Sequence, residues 1–322
     1  MEIINIAAAL NSKYMRYTYV MLTSLFMNQT NACIHVYLLH NDLTKEDKEK
    51  LSSLAKEYHH EIFFLHIDKS KFPKELPTTD MWSLETYFRL MLLDVLPAEI
   101  DRLLYIDVDM IVNKPIGELY HTDFEGALFC VCRDMSVEFP FPDIRDEIFH
   151  KHMEEGFTYF NAGLMLWNVK ALREEGYSFE AYMNLAKELK YKVLAPDQDL
   201  LNYMHWNRLK FVDEYQYDLF SRMAYRNGIH YEDVKEETTI IHFAGMKPWE
   251  GEYVHYDIEQ LWWDYAKKTP FYQELLEEFV RGSLMKPVVY DNMLRLSAEN
   301  KQLKEDLNKS VALCKQMLQN LT

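Results

Sequence analysis

Arg102-Leu103-Leu104-Tyr105-Ile106-Asp107-Val108-Asp109 is a run of apolar, strand-forming residues that ends in two carboxylates one residue apart. The run predicts a buried β-strand. In an extended chain residues i and i+2 face the same side, so Asp107 and Asp109 point together. The carboxyl end of a strand is where open α/β sheets bind ligands. Two acids closing a core strand are costly unless something shares their charge. One hard divalent cation would do so. Mn²⁺ and Mg²⁺ both favour carboxylate, water and phosphate oxygens, and Mn²⁺ also accepts imidazole. A lone Asp-x-Asp is ordinarily a solvated turn; the Leu-Leu-Tyr-Ile before this one argues for a site.

Upstream, the pattern predicts a strand over residues 3–10, a polar turn at Asn11-Ser12-Lys13 and a helix over 16–28. A strand follows over 35–39, then a capped, charged helix to about 58 and a strand over 61–67. Such alternation predicts parallel strands joined by right-handed crossovers, an α/β fold. No GxGxxG or GxxxxGK[ST] follows the first strand, so a glycine-rich phosphate cradle is missing. Ser83 is placed to cap a helix that runs to Leu96 and stops at Pro97. Leu84, Phe88, Met91, Leu92 and Val95 form its core stripe. Arg89 falls on another face, four residues after Glu85, where a surface ion pair is the ordinary reading.

Downstream, strand-like runs occupy 127–132, 163–167, 209–212 and 238–243. The last brings His242 to a strand end as a third ligand candidate. Gly245 then allows close backbone approach to a phosphate and Lys247 can neutralise it. A histidine alone would be a core residue; His, Gly and Lys-Pro-Trp in this order are harder to assign to packing.

The 322 residues carry 35 Lys and Arg against 51 Asp and Glu, a formal charge of −16. That balance argues against nucleic-acid binding, which needs a basic surface. Nine glycines and ten prolines beside 14% aromatics exclude a disordered or low-complexity chain. Cys130 and Cys132 sit in an apolar run with no second pair, so they read as small buried hydrophobes. The amino-terminal MEIINIAAAL lacks the basic segment and apolar length of a secretory signal. A cytoplasmic location is expected, with peripheral attachment at the inner face of the membrane as a further option.

Four segments, taken in order, resemble motifs of glycosyltransferase family 8: Leu103–Asp109 (LLYIDVD), Phe160–Gly163 (FNAG), Asp197–Asn202 (DQDLLN) and His242–Trp249 (HFAGMKPW). NIAAALNSKY at the amino terminus and TYFRL around Arg89 fit the same pattern. The resemblance spans about residues 2–265. It implies a GT-A fold, a mostly parallel Rossmann-like sheet that binds a UDP-sugar and Mn²⁺. By motif, Asp107, Asp109 and His242 resemble metal ligands, with Val108 between them, and Gly245 and Lys247 resemble diphosphate contacts. Ala9, Asn11 and Tyr14 match a uridine-binding segment. Arg89 and Asp134 resemble residues that contact the donor sugar and diphosphate, which moves Arg89 from the surface to the site. Asn161, Asp197 and Gln198 resemble residues lining the sugar and acceptor. Asn11-Ser12 departs from the acidic residues usual at these positions.

The activity implied is retaining transfer of glucose or galactose from a UDP-hexose to a saccharide, lipid-linked or protein-linked acceptor. Gln198 and Asp197 are the catalytic candidates, and an amide beneath the reacting carbon favours front-face internal-return substitution. A nonenzymatic UDP-sugar-binding scaffold and a UDP-sugar hydrolase are the alternatives.

The expected organisation is a catalytic domain over 1–265, a helical connector over 266–290 and a tail over 291–322. In the tail Met293, Leu296, Asn300, Leu303, Leu307, Ser310, Cys314, Met317 and Leu321 keep strict 3,4 spacing. This is the a/d pattern of a coiled coil, so a homo-oligomer through residues 293–321 is expected.

Overall fold

Among the described residues, strand-forming runs separated by amphipathic helices give ten strands and, between and after them, the helices that cover both faces of the main sheet. The computed structural model describes residues 2–78, 83–137, 141–285 and 288–319. In chain order, β1 (Glu2–Ala9), α1 (Met15–Met27), β2 (Ala32–His40), α2 (Lys45–Glu57) and β3 (Glu61–His66) form two successive crossovers. β1, β2 and β3 pair in parallel, as the alternation predicts. The α2 helix starts in a capping box, with Thr44 and Asp47 each closing on the other's backbone.

The chain continues through β4 (Arg102–Ile106), β5 (Met110–Val112), β6 (Phe129–Arg133), β7 (Phe160–Asn168), α3 (Pro196–His205), β8 (Leu209–Phe211), β9 (Leu219–Phe220) and β10 (Ile240–His242). The main sheet has seven strands in the order β3-β2-β1-β4-β7-β6-β8. Only β7 runs against its neighbours β4 and β6. A smaller sheet, β5-β10-β9, stands beside it. Apolar side chains on the two faces of the main sheet feed two separate cores. Cys130 and Cys132 point into one core and Val131 into the other, the alternation a strand imposes. Burial pushes the Cys130 thiol up to about 11.

Two expectations need correction. The helix expected from Ser83 to Leu96 is a 3₁₀ helix over Leu84–Met91 followed by one α-turn, Leu92–Val95, and the Ser83 side chain caps nothing. Glu85, Tyr87, Phe88, Arg89, Leu90 and Met91 are all buried there, so neither Glu85 nor Arg89 stands on a solvent face as a surface pair would. Glu85 bonds Lys69 at 2.7 Å instead. The strand carrying the two acids also ends earlier than expected, at Ile106. Asp107 and Asp109 occupy the tight connection to β5.

Three helices close the chain: α4 (Gln260–Ala266), α5 (Tyr272–Met285) and α6 (Val288–Gln319). Trp262 and Leu275 are fully buried and bind α4 and the start of α5 to the main core. α5 also clamps the loop after Lys247. Ser283 Oγ donates to the Gly251 carbonyl at 2.9 Å, and a Cβ on Gly251 would lie 1.9 Å from the Phe279 carbonyl oxygen. From Met293 to Val311 every side chain of α6 is exposed. Leu321, the last expected heptad position, lies outside the described residues. No described helix is long and apolar enough to cross a membrane.

Candidate active site

Strand ends of both sheets converge on one cleft of about 530 Å³, and every candidate site residue named from the sequence lines it. Asp107 and Asp109 arrive from the β4–β5 connection, His242 from the end of β10, and Asp197 and Gln198 from the first turn of α3. Ala9, Asn11 and Tyr14 come from the end of β1 and the turn after it. Asn11 Oδ1 accepts from the Tyr14 backbone N–H at 3.2 Å, and Ser12 is fixed by Asp42 through its N–H at 2.8 Å and its hydroxyl at 2.9 Å.

One ligand atom each from Asp107, Asp109 and His242 lies within 4.8 Å of the others. His242 is set from behind, because its Nδ1 is 2.9 Å from Oδ1 of the fully buried Asp218. This leaves Nε2 facing the acids, 3.4 Å from Asp109 Oδ1. Two hard oxygens and an imidazole nitrogen, the imidazole oriented by a carboxylate behind it, form a donor set that fits a divalent cation. Gly163 makes the crowding feasible. A Cβ there would lie 2.7 Å from Asn161 Oδ1 and His242 Cε1, and 2.9 Å from Asp107 Oδ2.

Cationic groups of the chain balance the acids. Lys247 Nζ bonds Asp109 and, at 3.2 Å, the Phe243 carbonyl. Arg89 is buried, with Nη2 2.9 Å from Asp107 Oδ1 and Nε 2.7 Å from Asp197 Oδ2. It also donates to the Ala162 carbonyl and lies 4.4 Å above the Tyr105 ring, whose hydroxyl reaches Asp107 at 3.1 Å. Burial favours the neutral acid, but Lys247 and His242 outweigh it at Asp109 and hold that carboxyl well below its usual range. At Asp107 burial wins over Arg89 and the carboxyl moves up. Asp197 is pushed up to about 6 by burial, against the pull of Arg89. Burial would lower His242, yet Asp109 and Asp218 drive it up to about 10.

Opposite the acids, the Gln198 amide is oriented at both ends. Its oxygen accepts from the Ala162 N–H at 2.9 Å and from Asn161 Nδ2 at 3.2 Å, while Nε2 donates to Asp134 Oδ2 at 3.0 Å. Gly245 has a φ of +82°, a conformation that favours glycine, and opens the loop that returns Lys247 to the cleft. Asp218 and Tyr105 escaped the sequence reading. Asp218 has no motif spacing, and Tyr105 is hidden inside an apolar strand.

Parallel strands with one reversed neighbour, an acidic turn at a strand end and a cleft across both sheets define a GT-A type glycosyltransferase. LgtC galactosyltransferase in complex with donor and acceptor sugar analogues shares this fold. Its TM-score is 0.68 at 21% identity, over 83% of this chain and 96% of that one. The chain belongs to glycosyl transferase family 8, whose family model matches residues 5–252. It is 27% identical to a lipopolysaccharide 1,2-glucosyltransferase of Escherichia coli over 77% of this chain and 74% of that protein. It is 28% identical to a lipopolysaccharide 1,3-galactosyltransferase of Salmonella typhimurium over 76% and 72%.

Proposed function

We propose that this enzyme transfers a hexose, glucose or galactose, from a UDP-sugar to a saccharide or glycoconjugate acceptor with retention of configuration, using Mn²⁺ held by Asp107, Asp109 and His242. Mg²⁺ is the alternative cation. The observation that carries the reading is the meeting of two acids and an imidazole from separate elements opposite an oriented amide. Relatives named for transferring glucose or galactose to lipopolysaccharide support a hexose donor and a glycan acceptor. The same reading gives residues 1–265 as the catalytic domain, working in the cytoplasm at the inner face of the membrane where an acceptor is lipid-linked.

When bound, the cation supplies Lewis-acid stabilisation to a departing diphosphate. Lys247 adds positive charge beside it, and the positive φ of Gly245 lets the backbone of its loop come close to the phosphates. Arg89 keeps Asp107 and Asp197 ionically paired. That pairing removes Asp197 as a free nucleophile, which favours front-face substitution over double displacement. In that route the departing phosphate takes the proton of the acceptor hydroxyl. Gln198, fixed by Ala162 and Asp134, turns its amide dipole toward the reacting carbon, where positive charge develops. Asn161 holds Gln198, and Asn11 and Tyr14 hold the base.

Incubating UDP-glucose or UDP-galactose with Mn²⁺ and saccharide acceptors, and reading the product by NMR, tests the reading. Retained configuration is expected, with Asp107→Ala slower by about 10²–10³-fold or more. An inverted product would exclude front-face return. Sugar release to water with no acceleration by any saccharide would make the protein a hydrolase instead.

A further inference from the structure

The apolar stripe of α6 has no cover. Met293 is 64% exposed, Leu296 52%, Leu303 66% and Leu307 63%. These residues follow an a/d pattern too narrow to pack on a sheet, the width of a coiled-coil seam. Apart from Leu294 and Val311 the other described faces of this stretch are polar or small. A helix that leaves its leucines in water gains nothing from tertiary packing, which is where most helical stability in proteins arises. We propose that α6 pairs with α6 of a second copy of this chain as a parallel, in-register, two-stranded coiled coil.

The choice of orientation rests on the residues flanking the seam. With Met293, Asn300 and Leu307 at a, and Leu296, Leu303 and Ser310 at d, the g positions hold Glu299 and Asp306. The e positions hold Ser297, Lys304 and Val311. In a parallel pair each g side chain meets the e side chain five residues on in the other helix. Glu299 then meets Lys304 of the other copy, twice by symmetry. An antiparallel pair sets g against g and places the acids Glu299 and Asp306 on facing columns. Lys304 has no ion pair among the described residues, and Glu299 reaches Arg295 only at 3.9 Å, so both are free to engage.

Asn300 points the same way. In register, its amide faces the same amide across the seam and each satisfies the other. Alignments shifted by a heptad set Asn300 against Met293 or Leu307, and reversed ones that meet Leu296 or Leu303 bury an unpaired amide. The reversed alignment that meets Ser310 still places the acids on facing columns. A single polar a residue is a known means of fixing both register and two-strandedness. Cys314 occupies the same a column two heptads later in sequence, so the parallel pair brings two Cys314 residues opposite one another.

The test uses the full chain and does not depend on its activity. Light scattering is expected to give twice the chain mass. Leu303→Asp and Leu307→Asp are expected to give the single-chain mass with unaltered UDP binding in Mn²⁺. Glu299→Lys or Lys304→Glu alone should raise the dimer dissociation constant about fivefold, and the double exchange should restore it. Diamide should link the dimer through Cys314, with no link in Cys314→Ser. A monomeric full chain, a trimer, or a dimer that diamide cannot link through Cys314 would each overturn the proposal. Failure of the transferase reading would leave these results untouched.

Discussion

Asp218 and His242 are 24 residues apart in sequence and 2.9 Å apart in the fold, Oδ1 to Nδ1. A carboxylate behind a ligating imidazole fixes its tautomer and its aim, and losing one typically costs 10–100-fold in metal affinity. Asp218→Asn is therefore expected to weaken Mn²⁺ binding by about that factor in calorimetry with UDP present. Unchanged affinity would mean that packing alone aims the ring. Acid sensitivity is a second matter of single residues. His205 is fully buried, with Nε2 3.0 Å from the Tyr182 hydroxyl, and burial pushes it down to about 3; His40 is likewise pushed down to about 4. An unfolded histidine titrates near 6.5, so below that the unfolded chain binds more protons. The contribution of these rings is complete above about 6.5 and is lost as pH falls toward 3. Asp197 and Asp218, raised to about 6 and 7, act in the opposite sense. The readout is thus a difference: between pH 7 and pH 5 the wild type should lose more stability in urea than His205→Phe. Equal losses would refute the neutral buried ring. At this scale the site was largely legible, because motif order named the groups lining the cleft. Asp218 was not, because its role comes from a tertiary contact that no spacing encodes.

The strands of the main sheet could be read from their apolar runs, and the start of α2 from the polar stretch before it, though the Thr44–Asp47 box itself emerged only in the structure. The segment over Leu84–Met91 could not. Helical spacing presumes one wet face, and here the five consecutive side chains from Tyr87 to Met91 are all buried. Its 3₁₀ winding goes with an inward Arg89, whose guanidinium joins Asp107 to Asp197. The reversed direction of β7 was also invisible, since a strand buried on both faces looks the same in sequence whichever way it runs. Among the glycines, Gly251, where its loop meets α5, leaves the least room for a side chain. Gly251→Ala would drive a methyl into the Phe279 carbonyl, so α5 must shift. Loss of about 1–3 kcal/mol is expected, read as a lowered melting temperature. A variant that melts with the wild type would show that the loop yields instead.

A formal charge of −16 spreads repulsion over the entire molecule. Such self-repulsion opposes the compact state and is screened by salt over about 10 Å at 0.1 M. Raising NaCl from 10 to 300 mM is expected to lift the melting temperature by roughly 2–4 °C, the equivalent of about 1 kcal/mol. A fall would mean that local pairs such as Arg208–Glu175 and Lys210–Glu125 dominate. The carboxyl-terminal helix adds a lever of about 48 Å to this body, at 1.5 Å per residue over its 32 residues. The clasp of Ser283 on Gly251 lies near the foot of that lever and only four residues beyond Lys247. Strain put on this helix therefore has a short mechanical route to Lys247, which bonds Asp109 in the cleft.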